Sequence, residues 1–140
     1  MGKSGLEVAG MSRMKSLLVA AHFGPTVLVL SMTFFIALSQ FSITQASQIA
    51  LAIFAGQLVV GWSNEVIDYP LDKLANRFKK PLVSGEISIT LLKKLIPLAL
   101  FAATLLSYFG PLGFLGTLLH LVGILSATAY NLKLKSTVLS

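Results

Sequence analysis

Four apolar runs, roughly 17–38, 49–67, 89–109 and 112–130, take up most of this chain, and each is close to the ~20 residues that an α-helix needs to cross the hydrocarbon core of a bilayer. In lipid, backbone N–H and C=O groups have no water to bond to, so runs of this length leave helices as the way to satisfy them within each segment. Composition agrees. With 55% hydrophobic and 11% charged residues and a mean hydropathy of +0.83, a soluble domain of 140 residues would expose large apolar patches to water. The expected fold class is all-α: an integral membrane protein with four transmembrane helices in a single membrane domain, residues 1–140.

Lys3, Arg13 and Lys15 precede the first run, as they would in a signal peptide. The run is too long for the apolar core of one, and no small-residue cleavage site closes it, so it reads as a retained span. Inside it, Gly24-Pro25 predicts a kink near its start. Gly110-Pro111-Leu112-Gly113 predicts a tight turn that makes the third and fourth spans an antiparallel hairpin. The absence of cysteine removes disulfides, thiolate nucleophiles and cysteine metal sites together.

The eleven basic residues fall in three places. Lys3, Arg13 and Lys15 precede the first span; Lys73, Arg77, Lys79, Lys80, Lys93 and Lys94 lie between or beside the second and third; Lys133 and Lys135 follow the fourth. The connection 39–48 and the turn at 110–113 hold none. By the positive-inside rule the amino end, the loop between spans two and three and the carboxyl end are cytoplasmic, in a multi-pass protein of the cell membrane. A net charge of +6 does not point to nucleic acid, because the basic residues flank apolar runs instead of interleaving with aromatics on a soluble face.

Only five residues are acidic, and Glu65, Asp68 and Asp72 crowd the end of the second run. Asn64, Asp68 and Asp72 stand at i, i+4 and i+8, which on a helix sets successive members ~6 Å apart along one face. Two carboxylates so placed at a membrane boundary repel each other and resist desolvation. A hard divalent cation resolves the conflict: magnesium takes oxygen ligands and is usually held by one or two carboxylates together with the phosphate oxygens of a substrate. Asn64 adds a neutral oxygen, and Arg77, Lys79 and Lys80 follow closely. The plain alternative is a solvated helix end with Asp68 and Asp72 paired to Lys73, Arg77 or the basic residues beyond. Pro70 sits between the two aspartates, removes the hydrogen bond to Val66 and predicts either a rotation of the carboxylates or a helix end that leaves Asp72 in the loop.

The stretch Gly61-Trp62-Ser63-Asn64-Glu65-Val66-Ile67-Asp68-Tyr69-Pro70-Leu71-Asp72, with Lys80-Pro81-Leu82-Val83-Ser84-Gly85-Glu86-Ile87-Ser88 after it, resembles the first aspartate-rich motif of the UbiA superfamily of intramembrane prenyltransferases. That motif reads Asn-(Asp/Glu)-x-x-Asp-x-x-x-Asp, followed by a basic residue, Pro, a small residue with Gly, and Ser. A second segment, Tyr130-Asn131-Leu132-Lys133-Leu134-Lys135, is similar to the Tyr-Ser…Leu-Lys segment that follows the family's fourth helix; by itself it would read as an interfacial anchor. The resemblance implies that Asn64, Asp68 and Asp72 hold Mg2+, and that Lys80, Tyr130 and Lys135 hold the diphosphate, with Arg77 and Lys79 nearby. It implies transfer of an isoprenyl group from a prenyl diphosphate to a hydrophobic or aromatic acceptor, with the prenyl tail among the helices and membrane lipid around them.

The resemblance covers the family's amino-terminal half. The second aspartate motif of the other half has no counterpart among the five acidic residues. The expectation is therefore a partial UbiA-type bundle, an incomplete family domain inactive alone. It would be a truncated product, a half whose missing helices a second chain supplies, or a degenerate homologue. Two other classes stand beside the transferase: a non-catalytic four-helix membrane protein that binds a partner or a lipid diphosphate, and a small four-helix exporter. The exporter needs a carboxylate inside a span, usually the first, and the first span has none. Its His22 reads as interfacial, and His120, deep in the fourth span, reads as one side of an interhelical hydrogen bond.

Overall fold

A computed structural model of the chain describes residues 12–134. Within them lie six α-helices and no strand: α1 Arg13–Ala20, α2 Phe23–Leu38, α3 Ile43–Leu74, α4 Pro81–Ser84, α5 Ile89–Phe109 and α6 Gly113–Ala129, the last running on into a π-turn at Tyr130–Leu134. Three of them, α3, α5 and α6 with its extension, are long and apolar enough to cross a membrane, and α1 with α2 makes a fourth span if the bent pair is counted as one. The all-α membrane fold expected from the apolar runs is the fold observed.

The first run bends near its start, as expected. It is two helices meeting at 71°, and they part at Ala21-His22, where Pro25, four residues on, has no N–H to give the Ala21 carbonyl. Pro25 occupies the first turn of α2, where a helix has no intrahelical use for the N–H that proline lacks, so the Gly-Pro pair starts the second helix on the far side of the bend. His22 takes a left-handed backbone, φ 56 and ψ 62, which turns the chain. Carbonyls at the break find partners from other residues: Trp62 Nε1 donates to the Leu17 oxygen at 3.0 Å and Thr26 Oγ1 to the Ala21 oxygen at 2.9 Å. That meets the demand that buried backbone groups be paired.

The second span is longer than the 49–67 expected. A capping box starts α3, with the Ser42 side chain accepting from the Gln45 N–H and the Gln45 side chain from the Ser42 N–H, an arrangement that pairs amides left free at a helix start. At its other end α3 runs through Pro70 to Leu74, so Asp72 belongs to the helix and not to the loop. Ser88 caps α5, its hydroxyl accepting from the Leu91 N–H at 3.1 Å. The α5–α6 hairpin forms as expected, with Gly113 at φ 60 in the turn.

Helix α3 is the centre of the bundle, packed against α2, α5 and α6. Small side chains carry the contacts: Ala20, Ala21, Ala55, Ala99 and Ala103 are buried with Val59, Trp62, Leu92 and Ile124, the pattern by which membrane helices bring their backbones close. At Gly61 a Cβ would stand 2.7 Å from the Ala21 Cα and oxygen. His120 of α6 lies against Gly56, where a Cβ would strike its ring, and bonds to Ser107 of α5 at 2.8 Å, the interhelical role expected of it. Outward faces of α5 and α6 expose Phe101, Phe109, Leu115, Leu119 and Leu125, side chains suited to lipid.

Candidate functional site

The polar residues gather at one end of the bundle, where α3 finishes, α5 begins and the α6 extension returns. Glu65, Asp68 and Asp72 stand at i, i+3 and i+7 of α3 and so share a face. Lys80 reaches all three from the following loop: its Nζ lies 2.6 Å from Asp72 Oδ2, 3.2 Å from Glu65 Oε2 and 3.9 Å from Asp68 Oδ2. Arg77 adds a bond from Nη1 to Asp72 Oδ1 at 2.9 Å. Lys80 is also the residue before the one-turn helix α4, whose Pro81 and Leu82 are buried, so the loop is anchored where the ammonium must point. Ser16 of α1, wholly buried, ties the same region from the far side by donating to Glu86 Oε2 at 2.6 Å.

The electrostatics follow from burial. Glu65 and Asp72 are each only 2% exposed, and carboxylates so far from water persist as ions only when paired. Lys80 supplies the charge. Burial by itself would lower its pKa, but the bond to Asp72 and the charges of Glu65 and Asp72 outweigh this and raise it above the ordinary lysine value. Pairing is incomplete, however: Glu65 Oε1 is buried with no hydrogen-bond partner among the described residues.

Asn64 faces a neighbouring space. Its Nδ2 bonds to His22 Nε2 at 3.0 Å, joining α3 to the break between α1 and α2, while its Oδ1 is buried without a hydrogen-bond partner among the described residues. Asn64 and His22 line a cavity of about 560 Å³ together with Gln57 and Gly61 of α3 and Tyr130 and Asn131 of the π-turn. A cavity of that size is in the range that holds a small organic ligand.

The expected site residues are thus divided between two adjoining sets. Asp68, Asp72, Lys80 and Arg77 come together, and Tyr130 lines the cavity beside Asn64. Lys79 is exposed and makes no ion pair with these carboxylates among the described residues; Lys135 lies outside them. Among the described residues no group of three or more Asp, Glu or His side chains is arranged to hold a metal ion. The Asn64 amide nitrogen is on His22, its oxygen is left without a hydrogen-bond partner among the described residues, and the carboxylates face Lys80.

Two residues of the site escaped the sequence reading. Glu65 occupies the Asp/Glu position of the motif, and its i, i+3, i+7 relation to Asp68 and Asp72 was available as a signal. His22 had none, since only folding brings it to Asn64. In comparisons with known proteins, the model of the UbiA prenyltransferase family matches residues 16–140, a span that includes every residue of both sets. No curated protein and no solved structure matches the chain.

Proposed function

The chain belongs to the UbiA prenyltransferase family, and from that premise we propose that the polar end of its bundle binds the diphosphate of an isoprenyl donor together with magnesium, for transfer of the isoprenyl group to a hydrophobic, commonly aromatic, acceptor. The observation that carries this reading is the convergence of Glu65, Asp68 and Asp72 on the ammonium of Lys80 beside the cavity at Asn64 and Tyr130. It is a place built for a cation and next to room for an organic group.

The donor chemistry fits magnesium. Every candidate ligand is an oxygen, the preference of a hard divalent ion, and two of those oxygens, Asn64 Oδ1 and Glu65 Oε1, are buried without hydrogen-bond partners among the described residues. Asp68, Asp72 and Asn64 would hold the ion, and it would supply positive charge where the departing diphosphate gathers negative charge. Lys80, now the counter-ion of the carboxylates, is within reach to turn to the diphosphate when that role is taken over. Arg77 stays on Asp72 and fixes its second oxygen. Tyr130 presents a hydroxyl at the cavity wall, and Lys135 follows it as a further diphosphate contact.

By the positive-inside rule this end of the bundle faces the cytoplasm. No second aspartate-rich motif occurs among the five acidic residues, so these 140 residues by themselves are expected to bind donor without transferring it. Binding of a radiolabelled prenyl diphosphate to the detergent-solubilised chain tests the reading. EDTA and Asp68→Ala should each lower affinity at least about tenfold, as loss of a metal or its ligand does; binding indifferent to both overturns it.

A further inference from the structure

We propose that His22 is a positioning residue for the cation site: by accepting a hydrogen bond from the Asn64 amide nitrogen, it turns the Asn64 carbonyl oxygen, and not its NH2, to the metal. The proposal rests on the magnesium reading above and adds a residue that lies far from the motif in sequence.

An asparagine amide is ambivalent, an acceptor on one arm and a two-hydrogen donor on the other. Beside a cation only one orientation is useful, since the flipped amide presents hydrogens to a positive charge. Something must choose between them. In this structure Nδ2 is engaged by His22 Nε2 at 3.0 Å, and Oδ1, on the opposite arm of the same planar group, is left buried and without a hydrogen-bond partner among the described residues. Asp68 stands one turn further along the same helix. An orphaned acceptor of this kind in a side chain only 9% exposed calls for a donor or a cation that the described residues do not provide.

The backbone around His22 is built to make that contact. A left-handed conformation, φ 56, is uncommon for a residue other than glycine and tends to persist where the surroundings enforce it, commonly at functional sites. Three surroundings enforce it here. Thr26 Oγ1 holds the Ala21 oxygen, Trp62 Nε1 holds the Leu17 oxygen, and Gly61 lets the Ala21 backbone come closer to α3 than any side chain would permit. Gly61 and Trp62 lie within one turn of Asn64, so the break is pinned where the imidazole meets the amide. Helix capping does not explain the residue, because His22 makes no side-chain capping bond to α2.

The role is tested by Mn2+ binding, followed by loss of the free-ion EPR signal, to the full chain in detergent. Wild type should bind and Asp68→Asn should not. His22→Gly keeps the left-handed backbone and removes the ring; it should weaken Mn2+ about 10- to 100-fold, as loss of an outer-sphere partner does. His22→Gln, which again offers an acceptor, should restore most of it. In an Asn64→Asp background His22→Gly should change affinity less than about twofold, because the two carboxylate oxygens are equivalent and need no orienting. Unchanged affinity in His22→Gly, or an equal loss in the Asn64→Asp background, overturns the positioning role while the site stands. A wild type that binds no Mn2+, or an Asp68→Asn variant that binds as well as wild type, overturns the magnesium reading and this proposal with it.

Discussion

The first span bends by 71° just before Pro25, whereas α3 continues as one helix through Pro70. A proline inside a helix costs about 3 kcal/mol through its lost hydrogen bond and its clash, so the residue types alone would put a break in both helices. Neighbours decide which of the two yields. At Ala21-His22 the carbonyls of Leu17 and Ala21 have side-chain donors waiting and Gly61 leaves space for the exposed backbone. Beyond Pro70 the last turn of α3 is held by Arg77 and Lys80, both drawn onto Asp72, and by the Arg77 N–H bonded to the Asp72 oxygen at 3.0 Å. A membrane helix breaks where partners for its backbone are on hand, and continues where its end is tethered.

The largest effect is expected from cutting that tether. Lys80→Met leaves the buried Glu65 without the Lys80 cation and Asp72 with Arg77 alone, and in EDTA it should lower stability by about 3 kcal/mol, the scale of a broken buried ion pair. Denaturant unfolding in mixed micelles reads the loss, and hydrogen exchange should quicken at residues 71–74 more than at 55–60. Uniform exchange would mean that the tether does not hold the turn after Pro70. The pH dependence has a definite sign. Folding raises the Lys80 pKa, so its contribution is complete below the ordinary lysine value and disappears as pH climbs through the raised one. Wild type should therefore lose stability on the alkaline side, and Lys80→Met should lack that limb.

Next comes the fit at the break. Gly61→Val puts side-chain atoms into the Ala21 backbone and should cost about 2 kcal/mol by overpacking, with spin labels on α1 and α3 moving apart. A stable variant with unchanged label distances would show that close approach is not needed. Trp62→Phe keeps the packing and deletes only the donor to Leu17, for a loss of about 1 kcal/mol. Pro70→Ala should be the smallest change, a gain below about 1 kcal/mol; a gain near the full proline cost of about 3 kcal/mol would mean that α3 is strained there and the contrast between the two helices is false.

The site was legible in unequal parts. Asp68, Asp72 and the basic loop were visible because four-residue spacing on a helix puts side chains side by side whatever the fold, and Lys80 follows them closely along the chain. Glu65 was visible as a motif position but carried no assignment, since one helical face accommodates both the i+4 and the i+3 neighbour. The orientation of the Asn64 amide was not legible, because its partner His22 comes from a distant stretch of the chain. Serine 107 and His120 show the converse, a deep histidine whose need for a partner was predictable although the identity of that partner was not.

What the chain alone determined is its solvent and its secondary structure. Both depend on the transfer cost of local runs and on backbone bonding inside each run, quantities that sum along consecutive residues. The tertiary structure decided where a helix could release its backbone bonds, and which polar side chains would share a volume. Those outcomes depend on donors, acceptors and empty space contributed by residues distant in sequence, such as Trp62 at Leu17, His22 at Asn64 and Lys80 at Glu65, and such meetings exist only once the helices have packed.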